Sequence, residues 1–403
     1  MRDGERGGSE WLLVASLFAF TLLVESLSWN QLTAYAPLYM RELHVPQGQV
    51  AGWIAAISSV SWLLALPFAP FWGVLADRYS RKLIIVRTAA LEAVIFAGWA
   101  FSTSPWMVLG FMALNGFILG NTGVMLAVQA STTPRQRLGL AVGLVSAGSP
   151  LGRAVGPISG AALVHLVDVK GMLLFGAGIS AAAALLLTVL LPEGEHVRPV
   201  DVRVLSMLRG ALGEIASRPV LWRLFVAMTV AQVGVWTMYP FVPIFIARFA
   251  PADPVTAVGL ILTAVGVAAA IGSPLWGLAM SRVGHVAVLS AACAGSCVSL
   301  VIAGASSSLP VFAFGLVLNS VFSAAILTAS MAVMAAVVSP ERRGAILGQI
   351  MFPFYIAGVV GPLIGGAAFA FGQAAVFGIA AVLLLAPLTV LATMRRIPQT
   401  TPA

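Results

Sequence analysis

The chain has 403 residues, of which 60% are apolar and 9% are charged, and its formal net charge is +8 at pH 7. This composition excludes a soluble globular protein, because so few polar side chains cannot cover a water-facing surface, whereas an apolar surface can face lipid. The sequence therefore predicts an all-α membrane protein.

Twelve apolar stretches have lengths near the roughly 20 residues that a helix needs to span a bilayer. In chain order they cover residues 11–36, 50–75, 83–102, 106–130, 139–164, 171–191, 220–247, 256–280, 285–305, 309–336, 345–371 and 374–394. This pattern predicts an N-terminal six-helix half (1–191), a linker with an amphipathic segment (192–219) and a C-terminal six-helix half (220–403).

The two halves repeat the same residues in the same order, about 204 positions apart. Pro70, Trp72, Gly73 and Arg78 recur as Pro274, Trp276, Gly277 and Arg282, while Gly156, Pro157 and Gly160 recur as Gly361, Pro362 and Gly365. Copies that keep both order and spacing predict two parallel six-helix repeats, an organisation typical of secondary transporters.

Positive charge is distributed unevenly over the loops. Of the 22 Lys and Arg residues, 18 fall in the loops and tails on one side of the predicted membrane. Because cytoplasmic loops carry the excess of Lys and Arg, we expect cytoplasmic N- and C-termini and a position in the cell (inner) membrane. The membrane topology thus explains the net positive charge, and no nucleic-acid partner is needed to account for it.

The loop after the second span reads GVLADRYSRK, from Gly73 to Lys82. It resembles the first signature of the major facilitator superfamily, although Ser80 stands where that family usually has Gly. The resemblance implies the major facilitator fold and transport by alternating access. It also implies a cytoplasmic latch between the two halves, formed by Gly73, Asp77, Arg78, Arg81 and Lys82. A purely topogenic role for these charges is the alternative.

The fifth span resembles the corresponding signature of the superfamily's drug:proton antiporters, through Gly143, Gly152, Gly156, Pro157 and Gly160. Glycines four apart lie on one helix face and let another helix approach closely. The resemblance implies a rocking contact and proton-coupled export of a small molecule. In the fourth span Met112 departs from the family, which usually has Arg there. Close packing without a role in transport is the alternative.

Two charged residues lie deep in predicted spans, Glu25 in the first and Arg153 in the fifth. Both helices rise from the same side, so the two groups lie at nearly the same height, roughly 20 Å from the inner surface. We expect an ion pair whose opening by substrate lets Glu25 carry a proton. A permanent structural pair, or snorkelling of both side chains, is the alternative. For Glu92, local pairing with the basic loop is favoured over coupling.

Amides and aromatic rings form a pool of residues for a transport cavity. Cavities lined by rings with few polar groups suit bulky apolar or amphipathic ligands, although such residues also serve as packing or as hydrogen bonds between helices. The candidates are Trp29, Asn30, Gln31, Asn115, Gln232, Trp236, Tyr239, Asn319 and Tyr355.

The sequence offers no spacing typical of a metal, cofactor or enzyme active site. Cys293 and Cys297 lie four apart in one apolar span, and the four His residues are scattered along the chain. We therefore expect a transporter that works as a monomer without a cofactor. The alternatives are a metabolite exporter or facilitator without proton coupling (for a sugar, amino acid or siderophore) and a non-transporting membrane sensor.

Overall fold

The computed structural model describes residues 3–68, 80–118, 121–192, 213, 217, 219–337 and 351–394. In these ranges the chain is helical and contains no strand. The helices, in chain order, are α1 (Asp3–Glu42), α2 (Gln47–Phe68), α3 (Arg81–Ala100), α4 (Pro105–Asn115), α5 (Asn121–Thr132), α6 (Leu138–Leu190), α7 (Pro219–Met238), α8 (Val242–Phe249), α9 (Pro254–Val283), α10 (His285–Ala305), α11 (Leu309–Val337), α12 (Met351–Phe369) and α13 (Gln373–Met394).

Helix α6 contains two of the predicted spans. The backbone leaves helical geometry at Val167 and at Asp168, where φ is 65°. The Asp168 side chain then accepts a hydrogen bond of 2.7 Å from the backbone N–H of Gly171, which caps the helix that follows. The first arm (138–166) and the second arm (169–190) therefore correspond to the predicted fifth and sixth spans.

The fourth predicted span is interrupted. After α4 the backbone hydrogen bonds join residues three apart instead of four, as in a 3-10 helix. The N–H of Gly116 donates to the Ala113 carbonyl oxygen, and the N–H of Ile118 donates to that of Asn115. Ten helices of the described part are long and apolar enough to cross a membrane. If α4 and α5 count as one interrupted span and the arms of α6 as two, the twelve predicted spans are accounted for.

Contacts divide the chain into two compact units. The first comprises Met1–Val204 with Ala250–Gly266, and the second comprises Leu205–Phe249 with Val267–Ala403. In the first unit, α1 packs along α6 around buried apolar side chains such as Phe18 and Val145. The second unit has a cluster of rings with centroids 5.1 to 6.4 Å apart, formed by Phe241, Phe245, Phe312, Phe369 and Phe377.

Glycines let α6 approach the backbone of α1. A Cβ atom at Gly152 would lie 2.5 Å from the Leu23 carbonyl oxygen, and one at Gly156 would lie 2.8 Å from the Leu27 carbonyl oxygen. Gly143 differs, because a Cβ there would meet nothing within 4 Å. The glycine stripe from 148 to 160 therefore forms a backbone contact, and Gly143 lies outside it.

The second unit uses the same packing between α12 and α7. A Cβ at Gly361 would lie 2.6 Å from the Trp236 Cβ, and one at Gly365 would overlap the Thr237 carbonyl oxygen. Both copies of the Gly-Pro motif thus bring a proline-containing helix onto the first helix of their own half.

We expect Gly152→Ala to destabilise the protein by about 1–3 kcal/mol, because the added methyl overlaps backbone that cannot rotate away. Gly143→Ala is the matched control in the same helix. It should be neutral or stabilise by up to about 1 kcal/mol, since Ala is the better helix former. Thermal unfolding in detergent measures both, and equal midpoints for the two variants would contradict the assigned contact.

Candidate functional site

Glu25 lies on α1 in the first unit, and its Oε2 atom is enclosed without a hydrogen-bond partner. Arg153 lies on the first arm of α6 and is exposed. Among the described residues, no ion pair joins the two side chains. The reason is rotational: Gly152 faces α1, and the next residue of a helix points about 100° away. The structure therefore does not bring the two predicted coupling residues together.

The carboxyl group of Glu92 lies against α1. Glu92 is 2% exposed, and its Oε1 accepts a hydrogen bond of 2.5 Å from the Trp29 indole N–H. The Trp29 ring in turn packs on Phe96, one turn further along α3, with centroids 5.2 Å apart. The partner found for Glu92 is an aromatic donor on another helix. Sequence reasoning favoured a partner in the basic loop, of which residues 73–79 lie outside the described residues.

Glu25, Ser28, Trp29 and Glu92 form what we call the carboxyl cluster. Glu25, Ser28 and Trp29 are spaced i, i+3 and i+4, so they share one face of α1. Because Trp29 bonds Glu92, the Glu92 carboxyl group lies against the same face of α1 that carries Glu25. The Ser28 hydroxyl is 1% exposed and has no hydrogen-bond partner. The cluster thus concentrates ionisable and unsatisfied polar groups inside the first unit.

The other polar candidates of α1 join helices rather than face open space. Gln31 donates to the Ser159 hydroxyl at 3.0 Å, and Asn30 donates to the Ser26 carbonyl oxygen one turn earlier at 2.7 Å. Ser26 donates to the Ser149 carbonyl oxygen, also at 2.7 Å. These bonds run beside the glycine stripe and fix the register of α1 against α6.

The candidates of the second unit include a group of rings that we call the aromatic cluster, formed by Trp236, Tyr239 and Phe354. The Trp236 centroid lies 5.8 Å from that of Tyr239 and 5.4 Å from that of Phe354, both edge to face. Tyr239 is 36% exposed, so the cluster has an accessible side. Such a surface suits an apolar or cationic ligand.

The remaining candidates are more enclosed. Asn115 is half-buried and ends α4 where that span is interrupted, whereas Asn319 is 4% exposed and its Oδ1 has no partner. Gln232 and Tyr355 are buried. Of the predicted latch, Arg81 and Lys82 begin α3, while Gly73, Asp77 and Arg78 lie outside the described residues.

Gln232 and Trp236 on α7 match Glu25 and Trp29 on α1. In each pair the two residues are one helical turn apart. A glycine of the partner helix packs near each tryptophan, since Gly156 contacts Leu27 and Asn30, and Gly361 contacts Trp236 and Thr237. The second unit thus places a neutral amide where the first unit has a carboxyl group. Sequence reasoning missed this match because the repeat was aligned at 204 positions, whereas these helices match at 207.

The start of α9 packs on α6 at Pro157 within the first unit. The Tyr35 hydroxyl donates to the Pro157 carbonyl oxygen at 2.9 Å and lies 3.3 Å from that of Val255, and the Ile158 N–H donates to the Thr263 hydroxyl at 3.1 Å. Since proline provides no N–H to the helix ladder, this is a natural point for outside partners. None of these contacts was predicted from sequence.

A histidine and an acid extend this contact at the surface. His165 Nε2 lies 3.0 Å from the Thr256 hydroxyl and 3.7 Å from Asp253 Oδ1. Asp253 Oδ1 also accepts the Thr256 backbone N–H at 3.0 Å, which caps α9. Hydrogen bonds from Thr256 hold the pKa of Asp253 below its ordinary value, so Asp253 is ionised at neutral pH.

We expect Asp253→Asn to lower the thermal unfolding midpoint at pH 7, because Asn retains a capping oxygen but loses the charge. A carboxylate with a lowered pKa in the folded state stabilises above its unfolded pKa, and this contribution is lost as the pH falls through the folded value. The difference between variant and wild type should therefore shrink as the pH is lowered below about 4. An equal difference in unfolding midpoint at pH 7 and at a pH below about 4 would contradict a charge-dependent cap.

Comparison with known proteins gives sequence relatives over most of the chain. The profile of the Major Facilitator Superfamily matches residues 17–251 and 252–403. The multi-drug resistance efflux pump PmrA of Streptococcus pneumoniae is 27% identical over 339 residues, which are 83% of each chain. A PmrA homolog of Lactococcus lactis is 27% identical over 252 residues (62% of each chain), and the multidrug resistance protein MdtG of Citrobacter koseri is 26% identical over 258 residues (63% of each chain). The last two matches thus span less than two thirds of those relatives' length.

Solved structures share the fold. The nucleoside transporter NupG superposes with a TM-score of 0.80 over 96% of this chain and all of that one, at 15% identity. A bacterial homolog of the human lysosomal transporter Spinster, in an inward-facing and occupied conformation, gives a TM-score of 0.75 over 95% of each chain, at 16% identity. At such identities the likeness concerns the fold alone, an all-α arrangement of membrane helices.

Proposed function

The chain belongs to the Major Facilitator Superfamily of membrane transporters, and we propose that it exports lipophilic or amphipathic drug-like compounds in exchange for protons. The observation that carries the proton exchange is the Oε2 atom of the Glu25 carboxyl group, which is enclosed and has no hydrogen-bond partner. Carboxyl groups inside membrane proteins are costly to keep, and they commonly mark proton pathways. Glu25 is the proposed proton carrier.

The substrate class follows from the aromatic cluster and from the relatives. Trp236, Tyr239 and Phe354 offer ring faces with an exposed side, and rings recognise bulky apolar compounds without dense hydrogen bonding. PmrA and MdtG are named as multidrug proteins, which supports the same class. Arg153 forms no ion pair with Glu25 among the described residues, so the proposal requires no substrate that displaces it.

The proposal also includes topology. The excess of Lys and Arg on one side supports cytoplasmic N- and C-termini in the cell membrane. The loop containing Asp77 and Arg78 is the proposed latch. Gly152, Gly156 and Gly361 lie in close helix contacts, which we propose as the rocking contacts of the transport cycle. One chain contains both repeats, so it suffices as the transporting unit.

Glu25→Gln should abolish transport driven by a proton gradient, because Gln has a similar shape but takes up no proton. We would reconstitute the protein in liposomes, impose the gradient and follow a panel of lipophilic cations and neutral drugs. The matched control is Glu10→Gln, which removes the same charge from an exposed position on the same helix. The control should retain wild-type flux, and the Glu25 variant should fall to the level of empty liposomes.

Three results would overturn this proposal. Flux that ignores the gradient in the wild type indicates a facilitator without proton coupling. Binding of panel compounds without flux indicates a membrane sensor. Gradient-driven flux that persists in Glu25→Gln excludes Glu25 as the proton carrier.

Trp236→Ala should raise KM for an aromatic substrate about tenfold, since a lost ring contact removes about 1.4 kcal/mol of binding. Trp222→Ala is the control, because Trp222 is an exposed ring on the same helix and contacts Phe225 rather than the aromatic cluster. The same transport assay at varied substrate concentration measures both values. An unchanged KM in Trp236→Ala would remove the aromatic cluster from the substrate site.

A further inference from the structure

The carboxyl cluster contains two acids, although the proposed function needs only one. Glu92 is supplied by α3 and Glu25 by α1. The Trp29 indole bonds Glu92 at 2.5 Å, and Trp29 lies one turn from Glu25 on the same face of α1. The Glu92 carboxyl group therefore lies beside α1, about one helical turn from the position of Glu25.

Among the residues that the structure describes, no cation pairs with either acid. Among the described residues, no Lys, Arg or His lies within ion-pair distance of Glu25 or Glu92. The indole N–H of Trp29 bonds Glu92, and the Trp29 ring packs on Phe96 of α3. Ser28 shares the face of α1 that carries Glu25 and Trp29. Two neighbouring carboxylates without a cation repel each other strongly in a low-dielectric interior, so a proton is the natural neutralising ligand.

Ser28 provides an observation that is independent of the acids. Its hydroxyl is 1% exposed and has no partner, although buried hydroxyl groups are normally hydrogen-bonded. A Cβ at Gly176, on the second arm of α6, would lie 3.6 Å from both the Ser28 hydroxyl oxygen and the Phe96 ring. Ser28 thus lies near the Phe96 ring, on which Trp29 packs, and a serine hydroxyl is able to donate to a carboxylate.

We propose that Glu25 and Glu92 form one proton-binding site in which a single proton is shared between the two carboxyl groups, while Trp29 and Ser28 stabilise the remaining charge. The proposal deepens the proposed function, because it assigns the transported proton to a pair rather than to Glu25 alone. Proton uptake adds one proton to the pair, and release returns that proton to water. The pair can be tested without transport.

The second unit shows that the helix framework does not require the acid. Gln232 lies one turn before Trp236 on α7, as Glu25 lies one turn before Trp29 on α1, and Gly361 of α12 packs on Trp236. An amide at this position is therefore compatible with the packing. For this reason we expect Glu25→Gln and Glu92→Gln to fold, and Gln at position 92 retains an acceptor for the Trp29 indole.

The test is a pH titration of the carboxyl stretching band by infrared spectroscopy, with the reconstituted protein and the three variants Glu25→Gln, Glu92→Gln and Glu10→Gln. Wild-type spectra minus those of each variant isolate the band of the replaced acid. If the proton is shared, the wild-type pair titrates in two steps separated by more than about one pH unit. Each single variant then titrates in one step between them, and Glu10→Gln leaves both steps in place.

A titration of Glu25 that is the same in Glu92→Gln and in the wild type would overturn the shared site. Trp29→Phe adds a second readout, because it keeps a ring against Phe96 and removes only the donor. The midpoint pH values of its two titration steps should differ from those of the wild type. Unchanged midpoints would refute the role of Trp29 in stabilising the charged carboxylate. Absence of proton-driven flux with an intact two-step titration would refute the proposed function and leave the pair standing.

Discussion

The close approach of α6 to α1 is the contact on which the rest of the first unit depends. Gly152 and Gly156 remove the side chains that would hold the helices apart, so carbonyl oxygens of α1 touch the α6 backbone. Such small-residue contacts compensate for the lack of a hydrophobic driving force between helices in lipid. The contact leaves the opposite faces of α1 for α3 and the second arm of α6, where Glu25 and Trp29 can meet Glu92.

Hydrogen bonds of the apolar helices are of two kinds, those within one helix and those between helices. Many hydroxyl groups bond the carbonyl oxygen one turn earlier in their own helix, as Thr21 does to Leu17 and Thr237 to Val233. Gln31 and Ser26 instead bond across to α6. An unsatisfied polar group in hydrocarbon is costly. Several enclosed polar atoms lack a partner among the described residues, and those of Glu25 and Ser28 share the face of α1 that carries Trp29.

Sequence patterns predicted the spans and the repeats well, because apolar length and glycine spacing act locally. The split of α6 at Asp168 coincides with the short gap between the fifth and sixth predicted spans. Side-chain pairing was harder to predict, since equal height along two helices does not fix their rotation. Glu25 and Arg153 match in height, yet Gly152 takes the face toward α1 and turns Arg153 away. The contact between Trp29 and Glu92 depends on helix order in space, which one sequence does not specify.

The comparison of the two repeats separates framework from chemistry. Gly156 packs against Leu27 and Asn30, on either side of Trp29, and Gly361 packs against Trp236 and Thr237. One turn before the tryptophan, the first repeat has the carboxyl group of Glu25 and the second has the amide of Gln232. An amide fills nearly the same volume but cannot exchange a proton at physiological pH. Close glycine packing is thus common to both halves, while among the described residues the carboxyl group that we propose as a proton site has an amide as its counterpart in the second half.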